Sequence, residues 1–225
     1  QRIGMMLDEL PEPDDLRQTV ARLAEMGDPR KDAPTVSGRP TDWTKFVRNY
    51  ALVDIETGKA VGTKTRFKVR WDDEGAVIFE IKCDEPDMKN LFVTDDVWTG
   101  DSIAIQLETQ GHAYYQIEVN PDGKLFDADR HGRLNQRWES NATVETERGD
   151  DFWSVVVRIP VVDAEEGAAD PNHHVVGAKP GMDNPWYINV GRTRVRSSGK
   201  TTWSFPHTGK RSYHVPERFA KMVIE

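Results

Sequence analysis

A chain of 225 residues is long enough for one large β domain or two small ones. Its net charge of −8 leaves no basic footprint for nucleic-acid phosphates, and its longest apolar runs are too short to span a membrane. A single cysteine, Cys83, excludes an internal disulfide and a cysteine-rich zinc site.

The first forty residues differ from the rest. Asp14 and Asp15, after Pro11 and Pro13, can cap a helix in which Leu16, Val20 and Leu23 form one stripe and Gly27 is the stop. A linker-like stretch rich in charge and proline follows. Residues 1–35 are therefore read as a helical stub and linker: the stripe packs on this domain, or it is the tail of a preceding one. The start at Gln1, with neither methionine nor signal-like segment, is read as that of a piece processed or cut from a longer protein. Residues 36–225 are read as one β domain.

From Asp42 onward the pattern is that of strands. Phe67, Val69 and Trp71 alternate with charged residues, the turn Asp72–Gly75 follows, and Val77, Phe79 and Ile81 alternate again. The next pair is the most informative in the chain. Ile103, Ile105 and Leu107 alternate with polar residues; after a turn at Gln110 and Gly111, Tyr115, Ile117 and Val119 repeat the pattern, and Asn120-Pro-Asp-Gly123 closes it. Such a pair puts one face in a core and is expected to offer Gln106, Gln116 and Glu118 to solvent or ligand on the other. Further runs span residues 142–147, 152–159, 186–195 and 219–224. Strands at this spacing, broken by Gly, Pro and Asp turns, indicate an all-β, two-sheet antiparallel β-sandwich. Residues 162–185 form a long irregular segment of the kind that is functional or loose.

No motif for covalent catalysis is present. The chain has no G-x-S-x-G elbow and no H-E-x-x-H pair, and Cys83, at the end of a strand, has the setting of a buried structural thiol. Thirty-eight acidic residues make any selected carboxylate pair meaningless as a glycosidase signature. Asp127-x-Asp129-x-x-Gly132 resembles the start of an EF-hand loop, but His131 and Trp138 stand where that loop needs ligands. A looser structural calcium site built from Asp95, Asp96 and Asp101, or from Asp127 and Asp129, stands beside the alternative of ordinary solvated turns.

A binding face is better supported. Sugars stack their C–H faces on aromatic rings and present hydroxyls to planar polar side chains, a combination few other ligands require. Trp98 lies in a polar turn segment just before a strand, whereas Trp71 and Trp153 sit inside apolar alternations as core residues do. Trp98 is a ligand platform or a plug over the open end of the domain. Trp43, Trp186 and Trp203 read as core or edge packing.

The order W-x-x-D-S-I-x-I from Trp98, Y-x-I-x-V-N-x-x-G from Tyr115, F-W-S-V-V-V-R-I-P from Phe152, W-Y-I-N-V-G-R from Trp186, W-S-x-P from Trp203 and H-x-P-x-x-F from His214 resembles family 9 carbohydrate-binding modules and their DOMON-like relatives. The resemblance runs from about Val36 to the end. It implies a β-sandwich without catalytic activity, appended to a larger extracellular or periplasmic polysaccharide-processing protein. It also implies an aromatic clamp on a terminal sugar. The clamp positions are Trp98 and Tyr213, with Gln116, Glu118, Asn120 and Arg192 as candidate polar partners, although the pair Asn189 and Arg192 can equally tie strands together. Departures are evident. Ala104 stands where the family has a glutamate, Glu118 where the sugar-contacting arginine is found, and Ala220 where a glycine closes the pattern. The alternative is a structural sandwich that no longer binds sugar. Haem binding, known among the relatives, needs axial ligands in one apolar pocket, and Met182 and the histidines show no such spacing.

Overall fold

Alternation of apolar and polar residues becomes strand wherever the run is bounded by turn residues. The computed structural model describes residues 30–110 and 112–225; the helix expected over Asp14–Gly27 lies outside them. The described strands are β1 (Thr35–Pro40), β2 (Tyr50–Ala51), β3 (Val53–Asp54), β4 (Thr65–Trp71), β5 (Ala76–Asp84), β6 (Ser102–Glu108), β7 (Tyr115–Val119), β8 (Leu125–Asp129), β9 (Thr143–Arg148), β10 (Phe152–Val162), β11 (Val175–Val176), β12 (Trp186–Arg196), β13 (Gly199–Phe205) and β14 (Ala220–Ile224). One short helix, α1 (Ala164–Ala169), breaks the segment expected to be irregular. Its start is set by Asp163, whose carboxylate accepts from the Glu165 and Glu166 N–H groups.

The strands form a single hydrogen-bonded path rather than two separate sheets. Its order is β11-β10-β5-β4-β1-β14-β12-β6-β7-β8, with β2, β3, β9 and β13 attached at the side. The join is β1, which pairs with β14 through Thr35–Gly38 and passes over to β4 at Arg39 and Pro40. Both pairings are parallel, as is that of β10 with β11, so the expected all-antiparallel arrangement holds only for the remaining ladders. The β11 end of the path reaches β6 and β7, near its other end. Thr109 donates its hydroxyl to the Val176 carbonyl (2.6 Å), and the Tyr115 hydroxyl accepts from the Val176 N–H (3.2 Å). The sheet thus nearly closes on itself around the core.

That core is made by the alternations read from the sequence. Phe67, Val69, Phe79, Ile103, Ile105, Leu107, Ile117, Val119, Trp153, Val155, Val157 and Ile188 are all buried in one cluster, and so is Cys83. Burying a large apolar side chain contributes roughly 1.5–3 kcal/mol, which makes this layer the main stabilising element. Aromatic contacts knit it laterally: Trp71 meets Trp186 edge to face at 5.9 Å, and Tyr115 stacks on Trp138 at 4.6 Å.

One expectation about the central hairpin fails. The polar face of β6 and β7 is not open to solvent: Ala104, Gln106, Gln116 and Glu118 are all buried. The segment from Pro206 to Phe219 lies across it. Asn189 Nδ2 donates to the Pro206 carbonyl (2.8 Å), the Tyr213 ring rests against Gly191, and Phe219 meets Tyr114 edge to face at 5.6 Å. The hairpin is covered on one side by the core and on much of the other by this strap.

Candidate functional site

Register places four residues in one row across the outer face: Gly191 of β12, Ala104 of β6, Glu118 of β7 and Phe126 of β8. Three strand spacings separate its ends, roughly 14 Å. An aromatic stands at each end. Trp98, in the 3₁₀ turn Val97–Thr99, meets Phe126 edge to face at 4.5 Å. Tyr213 packs so tightly on Gly191 that a Cβ there would fall 2.2 Å from its Cε1 atom. The Tyr213 hydroxyl lies 3.2 Å from Thr193 Oγ1, and burial pushes its ionisation up.

Between and around these two aromatics lies a groove of about 390 Å³, within the range of small-ligand sites. Trp98, Gln116, Glu118 and Tyr213 line it, together with Phe126, Arg130, Thr193, Lys200 and His214. Trp98 keeps 42% of its surface exposed, and Leu134, which lines the same groove, keeps 47%. The place of Trp98 in a polar turn leaves it outside every strand alternation, so no sheet face claims it.

The polar side of the groove is a connected chain. Glu118 accepts from Gln116 Nε2 (2.6 Å), Gln116 Oε1 accepts from Arg130 Nε (2.6 Å), and Arg130 Nη2 lies 3.4 Å from His214 Nε2. His214 Nδ1 is 3.1 Å from the Tyr114 hydroxyl. Because an arginine only donates, Nε2 of His214 accepts, and its proton sits on Nδ1 toward Tyr114. Burial, aided by the Arg130 charge, lowers the His214 pKa to about 4 and keeps the ring neutral. Burial also raises the Glu118 pKa, opposed by the Gln116 hydrogen bond and by the Lys200 and Arg130 charges.

Two of the candidate polar partners lie elsewhere. Asn120 is buried in the turn after β7, where its Oδ1 accepts from the Asp122 and Lys124 N–H groups and its Nδ2 donates to the Thr94 carbonyl. Arg192 belongs to the opposite face of β12. It is fully buried with its guanidinium 4.9 Å from the centre of the Trp203 ring, and it donates to Thr65 Oγ1, the Asp84 carbonyl and Glu85. Arg194 and Arg196, at two-residue spacing on the same face, converge on Glu85 too, at 2.8 and 2.7 Å. The strand-tying alternative for Arg192 is the one its contacts describe. This three-arginine knot went unread in the sequence, though R-x-R-x-R on a strand is its signal.

The five candidate calcium ligands are dispersed. Asp95 is exposed and pairs with Lys124 (3.0 Å), and Asp96 precedes the turn that carries Trp98 without a side-chain bond to it. Asp101 is buried against Arg196 (2.6 Å) and the Phe92 N–H. Asp127 accepts from the Ser140 N–H and hydroxyl, and Asp129 bonds His112 and the His131 N–H. Among the described residues no three His, Cys, Asp or Glu side chains form a group able to hold a metal.

Arg130, His214 and Lys200 are groove residues that sequence reading missed. Reading Asp127 and Asp129 as turn carboxylates, with or without calcium, hid β8, on which Phe126 and Ala128 share the groove-facing side by simple alternation, with Arg130 just beyond its end.

No protein-family model matches the chain, and no curated protein matches it. Solved structures share its fold. A Bacteroides uniformis protein named for carbohydrate binding superposes with a TM-score of 0.64 at 15% identity, over 86% of this chain and all of that one. A family 9 carbohydrate-binding module of Caldicellulosiruptor kristjanssonii in complex with cellotriose gives 0.58 at 13% identity, over 85% and 93% of the two chains. A family 9 module of the same organism in complex with glucose gives 0.56 at 12%, over 85% and 95%. The likeness is one of fold, and it agrees with the resemblance noted in the sequence motifs.

Proposed function

We propose that this β domain is a non-catalytic carbohydrate-binding module that holds a sugar residue in the groove between Trp98 and Tyr213. The observation that carries the proposal is an exposed tryptophan and a second aromatic at opposite ends of a row whose floor holds hydrogen-bonding side chains. Aromatic faces supply stacking worth about 1 kcal/mol each, while Gln116, Glu118, Arg130 and Thr193 read the hydroxyl rim. Solved structures of the same fold hold cellotriose and glucose, which supports a saccharide as the ligand class. A single site of this size binds weakly, so its use lies in raising the local concentration of an attached glycan-processing domain at a polysaccharide, outside the cell or in the periplasm. No helix of the described residues is long and apolar enough to cross a membrane.

A second reading has one specific observation behind it. Gln116 and Glu118 are buried and bonded to each other, as they would be in a sandwich that only packs against a neighbouring domain. A glycan array followed by calorimetry separates the two. A bound saccharide whose binding disappears in Trp98→Ala, with the variant still folded, supports the module; an array with no bound glycan supports the structural reading.

A further inference from the structure

The charges of the groove do not balance. Arg130 and Lys200 line it, and among the described residues neither lies within ion-pair distance of a carboxylate. Arg211, at the groove margin, is matched by Glu56 at 2.6 Å. The carboxylate inside is Glu118, 5% exposed and already accepting from Gln116. One buried acid against two cations leaves an excess of positive charge in the groove of a chain whose net charge is −8. Other arginines of the chain are matched at close range, among them Arg158 by Asp72 (2.6 Å) and the three that share Glu85.

Arg130 is also held in position before any ligand arrives. Its Nε is bound to Gln116 Oε1, and its Nη2 faces the neutral His214 ring. A guanidinium fixed in this way loses little freedom when it binds an oxyanion, whose paired oxygens its planar fork matches. Lys200 adds an exposed point charge from the β13 side. A neutral sugar would need no such excess, since its hydroxyls both donate and accept.

We infer that the groove selects a sugar residue carrying an anionic group, a uronate carboxylate or a sulfate ester, with Arg130 and Lys200 as its charge partners and Trp98 and Tyr213 as its stacking surfaces. The inference rests on the sugar-binding reading and narrows it to a ligand class. Charge-assisted hydrogen bonds are roughly twice as strong as neutral ones, so the acid form should bind about tenfold tighter than an uncharged counterpart.

The test is calorimetry of the whole chain with matched pairs: glucuronate- and galacturonate-ended disaccharides against their methyl esters, and a sulfated disaccharide against its desulfated form. Preference for the acid over the ester assigns a carboxylate, and preference for the sulfated form assigns a sulfate ester. In either case the preference should shrink between about 0.1 and about 1 M salt, as the screening length falls from about 10 to about 3 Å. It should also shrink in Lys200→Met, whose exposed site tolerates the change, and in Arg130→Met, with melting temperature confirming that both fold. Uncharged members binding as well as charged ones, still dependent on Trp98, would overturn the inference while leaving the sugar site standing. No binding by either member of any pair, with no glycan bound on the array, would overturn both.

Discussion

Gly191→Ala tests the architecture of the site with a single methyl group. Gly191 lies mid-strand in an ordinary extended conformation, so an alanine there carries no backbone strain; the first obstacle it meets is the Tyr213 ring. The added Cβ would sit 2.2 Å from Cε1, 2.6 Å from Cδ1 and 2.7 Å from Cζ. Carbon atoms in contact prefer about 3.5–4.0 Å, so the ring must retreat by roughly 1.5 Å. That displacement breaks the 3.2 Å contact between Tyr213 and Thr193 and moves one of the two groove aromatics. Overpacking of this degree costs about 1–3 kcal/mol, or a fall in melting temperature of roughly 4–8 °C for a loss of about 2 kcal/mol in a chain of this size. Thermal unfolding by circular dichroism measures it. The double variant Gly191→Ala, Tyr213→Ala should be as stable as Tyr213→Ala alone to within about 0.5 kcal/mol, because the clash has gone. Strictly additive losses would refute the close packing of ring on glycine, as would a single variant with wild-type stability.

Glu85→Gln leaves three converging arginines without their shared anion, and is expected to cost about 3–5 kcal/mol in urea unfolding; a loss under 1 kcal/mol would mean the knot is dispensable. Burial opposes ionisation of Glu85, but the Arg194 and Arg196 contacts win and hold its pKa at about 2. Its stabilising share is therefore present above the ordinary value of 4.5 and lost as pH falls toward 2, a slope that should flatten in the variant. His214 has its pKa depressed to about 4, so its contribution is complete above 6.5 and lost as pH falls from 6.5 to 4. The difference in stability between the protein and His214→Phe should change by up to about 3 kcal/mol across that window; a constant difference would contradict the buried neutral ring. Since Asp101 is bound to Arg196 and Asp127 to Ser140, millimolar calcium is expected to leave the melting temperature unchanged, and a rise of several degrees, reversed by chelator, would reveal an ion site.

The core was legible because its rule is local. Alternation at Phe67 to Trp71, Val77 to Ile81 and Ile103 to Val119 reports which way each side chain points, and all of these apolar positions are buried. Connectivity was not legible. β1 carries a Gly and a Pro in its six residues and reads as linker, yet its parallel pairing with both β14 and β4 joins the sheet. Such long-range pairing leaves no mark in the neighbourhood of Thr35. The candidate site was legible in part. Trp98 stood out because a tryptophan in a polar turn has no core to enter, and the family resemblance added Tyr213. Gln116 and Glu118 were found as the outward members of an alternation, but the strap of Pro206–Phe219 that buries them comes from almost a hundred residues away. From its motif Arg192 read as either a sugar contact or a strand tie. Strand parity decides for the tie: it pairs with Ile103 on the core side, while Gly191 beside it faces the groove.

The most direct test is the affinity of Trp98→Ala for the best-bound saccharide found on the array, measured by calorimetry beside the unmodified chain. Trp98 is 42% exposed and its ring contact is with the Phe126 ring, so the variant should keep its fold and melt within a few degrees of the parent. The expected result is loss of detectable binding with the fold intact. Undiminished binding in a folded variant would contradict the placement of the sugar site between Trp98 and Tyr213.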